Sequence, residues 1–128
     1  MIPGPNQEKW LQALESGKYK QGKNSLCIAG KYCCLGVACD VFETPVYERY
    51  YDDEDDEAGG VIIYGTEGYH TGGVAPLDVQ DKLKLYTSAG NPSKGGVALV
   101  GLNDEGRTFK EIAALIRKDP SNYFKEPN

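Results

Sequence analysis

The stretch from Thr108 to Ile116 constrains the fold more than any other. Thr108 and Glu111 form a Thr-x-x-Glu capping box, and Phe109, Ile112, Ala113 and Ile116 fall on one stripe at helical spacing. A helix that begins this way carries an apolar face that another layer has to cover, so the rest of the chain must supply that layer. The spacing predicts a helix to about Asp119, ended by Pro120.

The remaining segments are short and change period often. After Pro5, with Asn6 as the expected N-cap, Trp10, Leu11 and Leu14 recur at helical spacing until Ser16-Gly17 stops them. From Tyr19 to Ala29 the pattern is extended, and Gly30-Lys31 reverses the chain. The apolar run Cys33 to Phe42 suits a buried strand or a buried helix. Cys34, Val37, Ala38 and Val41 at i, i+3, i+4 and i+7, with Thr44-Pro45 as a stop, favour the helix. Val61 to Tyr64 reads as a strand leading into a glycine-rich stretch through Gly73. Pro76 opens a short helix with Val79 and Leu83 four apart, Asn91 to Gly96 is a turn, and Val97 to Leu102 makes a helical turn or two. No internal repeat is visible. The expectation is one α+β domain over residues 1–128, a small antiparallel sheet packed with about four short helices.

Length and composition agree with that reading. A chain of 128 residues, 40% hydrophobic and 26% charged, can bury a core of its own. No run approaches the roughly eighteen apolar residues of a membrane span, and Met1 to Asn6 lacks the basic and apolar segments of a signal peptide, so the expected place is a cytoplasm. The net charge of -5 argues against binding to a nucleic-acid backbone, which needs a basic stripe. That charge is uneven: Asp40 to Glu57 holds nearly half of the carboxylates, and the N-terminal third is mildly basic. The tyrosine-and-acid stretch 46–60 is expected to be a mobile loop, able to attract a basic partner.

Candidate chemistry is sparse. Cys27, Cys33, Cys34 and Cys39 are expected to be buried thiols, because adjacent cysteines do not readily bridge and their spacing has no Cys-x2-Cys hook for zinc. The acidic run lacks the ligand alternation of a calcium loop, and the glycine-rich stretch Gly65 to Gly73 matches neither nucleotide fingerprint, so neither metal nor cofactor is expected. That stretch, with Tyr69 and His70, could still wrap a small anion through its N–H groups. Asn103, Asp104 and Thr108 have structural work available in the turn between two helices, whereas Arg107 sits where a helix N-terminus would help it hold an anion. The ligand set read from the sequence is therefore Arg107, Lys31, Tyr69, His70, Asn103 and Asp104, with no catalytic residue assigned.

Three ordered blocks carry a resemblance. They are Trp10-Leu11-x-Ala13-Leu14-x-Ser16-Gly17-x-Tyr19-x-Gln21, then Tyr32-Cys33-Cys34-Leu35-Gly36-Val37-x-Cys39-Asp40, then Leu102-Asn103-Asp104-x-Gly106-x-Thr108-Phe109-x-x-Ile112-Ala113. Together they resemble a family of small uncharacterised bacteriophage proteins. The resemblance implies an accessory protein at work in an infected bacterial cytoplasm, where host takeover and counter-defence are common occupations. On that footing the expected function is binding: sequestration of a nucleotide-like immune signal, or blocking of a host protein, with a homodimer compatible with either. A hydrolase or transferase acting on a nucleotide, using His70 with Asp40 or Asp104, is one alternative, and a structural or assembly protein is another.

Overall fold

The computed structural model describes residues 1–51 and 60–128. Its architecture is α+β: a five-stranded antiparallel sheet with a helical layer on one face. The helices are α1 (Pro5–Glu15), α2 (Cys34–Val41), α3 (Leu77–Leu83), α4 (Leu99–Asp104) and α5 (Phe109–Lys118), followed by a 3₁₀ turn at Pro120–Asn122. The strands are β1 (Cys27–Ile28), β2 (Lys31–Tyr32), β3 (Val46–Tyr50), β4 (Val61–Thr66) and β5 (Tyr69–Thr71). Their order is β2-β1-β4-β3, with β5 also paired to β4.

Helix α5 has the capping box expected of it: Glu111 N–H donates to Thr108 Oγ1 at 3.1 Å and Thr108 N–H to Glu111 Oε1 at 3.0 Å. Its buried residues are the predicted stripe, Phe109, Ile112, Ala113 and Ile116. Helix α1 begins earlier than expected. Gly4 rather than Asn6 is its N-cap, because Pro5 suits the first helical position and Gln7 Oε1 takes the Gly4 N–H at 2.8 Å. The Cys33 to Phe42 run is helical, and it packs tightly: a Cβ at Gly36 would collide with the Leu26 carbonyl oxygen.

Two extended regions differ from expectation. Between Tyr19 and Ala29 only Cys27–Ile28 pairs as a strand, although Gln21 forms a bridge to Tyr32 beside it. The stretch expected as loop from Val46 opens instead with β3, whose tyrosines and charges suit an exposed edge strand. The rest of that predicted mobile loop, 52–59, lies outside the described residues.

The core lies between the helices and one face of the sheet. Trp10, Leu11, Leu14, Leu35, Val79, Leu83, Leu99, Ile112, Ile116 and Phe124 are buried within it. Trp10 meets Phe124 edge-on, with centroids 6.2 Å apart, and donates its indole N–H to the Cys34 carbonyl at 2.9 Å. Directly opposed residues of antiparallel strands share a face. One row, Tyr32, Cys27 and Ile62, therefore lies on the core face, with Arg49 continuing it, exposed, on the edge strand. The next row, Lys31, Ile28, Val61 and Tyr50, lies on the outer face, with Ile28 and Val61 half-buried and Lys31 and Tyr50 exposed.

Candidate functional site

The outer face carries three half-buried aliphatic residues, Ile28, Val61 and Ile63, bordered by exposed Tyr50. Ile28 and Val61 lie side by side, with Lys31 at one end of their row and Tyr50 at the other, and Ile63 pairs with Glu48 in the next row. Beyond them Gly65 pairs with His70, whose ring stacks on Tyr47 with centroids 3.9 Å apart and planes 2° from parallel. Tyr47 can reach across because the register of β3 shifts between Val46 and Glu48, adding a residue there.

Carboxylates hold the tyrosine rings of this face in place. Tyr47 OH donates to Glu67 Oε2 and Tyr50 OH to Glu48 Oε2, each at 2.7 Å. These hydrogen bonds raise both phenols above their ordinary range, so they stay protonated donors. The result is a set of rigid aromatic plates with anionic tips. Tyr50 and Tyr51 are more than half exposed, as is Val46. Such surfaces offer contact area at small entropic cost, because a ring has few rotamers to lose.

The six residues read from the sequence as ligands divide into two places. Four border the loop Gln21 to Asn24. Asn103 is fully buried; its Nδ2 donates to the Gly22 carbonyl at 2.7 Å, and its Oδ1 accepts from Gln21 Nε2 and the Cys34 N–H. Asp104 Oδ1 accepts the Asn24 N–H at 2.9 Å, and the Arg107 carbonyl takes the Gln21 amide at 2.6 Å. Lys31 lies against Gly22, where a Cβ would stand 2.8 Å from the lysine Cβ. Asn103 thus has no polar atom left to offer a ligand: it ties α2, α4 and the loop together.

Tyr69 and His70 are elsewhere, on β5. Tyr69 is 68% exposed and lines open depressions of about 300 and 260 Å³ beside Pro76 and Leu77. No ion pair joins His70 to Asp40 or Asp104, which bond instead to Tyr19 and to Asn24. The pairing that a His70-carboxylate enzyme requires is not assembled among the described residues.

The entrance to α5 is also filled. Glu111 Oε1 takes the N–H of the N-cap Thr108, and Thr108 Oγ1 takes the Glu111 N–H, so a carboxylate already stands at this helix start. The Thr108 backbone N–H, then the Thr108 side chain, and then the Arg107 charge hold that carboxyl below its ordinary value. Arg107 remains exposed, but it flanks a carboxylate rather than an open anion site.

All four cysteines are buried free thiols. Burial pushes Cys33 up to about 11 and raises Cys27, Cys34 and Cys39 as well, which keeps them protonated and poor nucleophiles. Among the described residues, no group of three histidine, cysteine or acidic side chains is placed to hold a metal ion, and no helix is long and apolar enough to cross a membrane.

Sequence reasoning took the tyrosine-and-acid stretch 46–60 as a lure for a basic partner but missed the outer face as a unit. The unbroken apolar run Val61-Ile62-Ile63-Tyr64 gives β4 apolar residues on both faces, which is the signal that could have found it. Comparison with known proteins gives a family and nothing beyond it. The family described as a domain of unknown function, DUF8296, matches residues 5–120, so the chain belongs to that family. No curated protein and no solved structure matches it at a significant level.

Proposed function

We propose that this member of the DUF8296 family is a binding protein that captures a basic protein partner on the outer face of its sheet. The observation that carries this reading is exposed Tyr50 at the end of the half-buried row Ile28 and Val61, continued by half-buried Ile63 and by the Tyr47–His70 stack. An apolar face of this kind with anionic tips at Glu48 and Glu67 suits a surface that pairs apolar contacts with lysine or arginine. The segment that joins β3 to β4 adds six consecutive carboxylates in sequence, Asp52 to Glu57, so the local field favours the same partner. The resemblance to small phage proteins supports a partner drawn from an infected bacterial cell, with blocking of a host protein as the outcome.

The test is retention of one defined protein from bacterial extract on the immobilised chain. Parent and Leu115→Ser control, altered on exposed α5 surface, should retain it and release it with salt. Ile63→Ser and Tyr50→Ala should not retain it. Equal retention by all four chains means that the outer face is not the contact.

A second reading keeps a small anionic, nucleotide-like ligand, favoured by one observation. Residues 16–39 contain four lysines and no carboxylate, and Lys31 and Arg107 are drawn to the same loop, with Lys23 Nζ close to Gly106 beside Arg107. Calorimetry with cyclic nucleotides and ADP-ribose derivatives tests it; heats of binding that survive unchanged in Arg107→Ala and Lys31→Ala remove this loop as the site.

A further inference from the structure

On the helical side of the molecule, α1 and α2 enclose a cleft of about 470 Å³ that plays no part in the reading above. Lys9, Gln12, Ala13 and Ser16 line one wall; they fall at i, i+3, i+4 and i+7, the polar face of α1 opposite buried Trp10, Leu11 and Leu14. Asp40 and Val41 at the end of α2, with Lys18 and Tyr19 beyond the end of α1, complete the lining.

Three features give the cleft a charge pattern. Tyr19 OH donates to Asp40 Oδ2 at 2.5 Å, which fixes the carboxylate beside the cleft. The Tyr19 ring is itself fixed, edge-on to Tyr32 with centroids 5.2 Å apart. Helices α1 and α2 both end here, and neither has a basic residue in its last turn, so the carbonyl ends of two helices add to the negative side.

The positive side is Lys9 and Lys18. Among the described residues neither lysine takes part in an ion pair, and Asp40 takes part in none. Opposite charges therefore line one cleft without an ion pair between them among the described residues. A molecule that carries both charges a few ångströms apart would satisfy both sides at once.

We propose that this cleft binds a small zwitterion, its ammonium or guanidinium on Asp40 and its carboxylate or phosphate on Lys9 and Lys18. Gln12, whose amide reaches Glu8 at 3.0 Å, and Ser16 at the helix end supply neutral polar walls beside those charges. The site is on the opposite side of the sheet from the proposed protein contact, so either can fail without the other.

The test is titration of the isotope-labelled protein with phosphoethanolamine, L-serine and L-arginine, with ethanolamine and inorganic phosphate as single-charge controls, followed by amide shifts. At least one zwitterion should produce saturable shifts confined to residues 9–19 and 39–42, at least about ten-fold tighter than either control. Asp40→Asn and Lys18→Met should each weaken it about ten-fold and leave the spectrum elsewhere unchanged, because both side chains are exposed and each removes one charge-assisted contact. The proposal is overturned if no zwitterion of the three saturates, if the controls bind equally well, or if both variants bind as the parent does.

Discussion

The junction of α2, α4 and the Gln21 to Asn24 loop differs from the outer face of the sheet in what its polar groups have left to give. At the junction the Asn103 amide, Gln21 Nε2 and Asp104 Oδ1 all have partners within the chain. On the outer face, the hydroxyls of Tyr47 and Tyr50 are anchored, but the Tyr50 ring is more than half exposed beside half-buried Val61 and Ile63. A polar residue in a turn invites a functional reading, yet its burial makes it a structural group, since a buried amide without partners is costly. The exposed aromatic residues are the ones with free energy still to release on binding.

Substitution should separate the two regions by their effect on stability, starting with the largest. Asn103→Ala leaves the Gly22 carbonyl and the Cys34 N–H without their partner, and should cost about 3 kcal/mol by denaturant titration. A neutral result would move Asn103 back among the ligand candidates. Thr108→Ala removes the cap of α5 and should cost about 1 kcal/mol in the same assay. No change would reopen the α5 entrance as an anion site.

Arg117 provides a smaller effect with a pH signature. Its guanidinium bonds to Glu8 and Glu15 at 2.7–2.9 Å and clamps α5 to α1. Hydrogen bonds from Arg117 are the main reason that both carboxyls lie below their ordinary value of 4.5. Because the folded values are depressed, the stability they contribute is present above that unfolded value and is lost as pH falls through the folded values. Arg117→Ala should cost about 0.5–1 kcal/mol near neutral pH, a figure reduced for solvent screening of a pair about a third exposed. It should also flatten the acid limb of stability against pH measured by thermal unfolding; an unchanged limb would show that other carboxylates set it.

The smallest effect belongs to the face itself. Tyr50→Ala removes a ring that is 54% exposed, and unfolding stability should move by less than about 0.5 kcal/mol. A loss above 1 kcal/mol would mean that the face is occupied within the chain, and the contrast with the junction would collapse.

Local signals were legible wherever a residue acts on its sequence neighbours. The Thr108 to Glu111 cap, the stripe of α5, the helical spacing from Cys34 to Val41 and the strand at Val61 all depend on contacts within a few residues. β3 was not legible as a strand, because Val46-Tyr47-Glu48-Arg49-Tyr50 shows no clean alternation on an exposed edge with a shifted register. Its pairing to β4 is a long-range decision. The same holds for the candidate sites: Lys31 and Tyr50 flank one row although nothing in their spacing relates them.

By itself the sequence determined the fold class, the capped last helix, and thiols placed in apolar surroundings, since each follows from composition or short-range periodicity. Tertiary structure alone decided which polar groups are spent and which remain open. Asn103 pairs with a carbonyl eighty-one positions away, and Tyr19 with a carboxylate twenty-one away, and both partnerships arise from packing the helices on one face of the sheet. That packing also decides which tyrosines stay exposed, Tyr50 and Tyr69 among them, which no local propensity encodes.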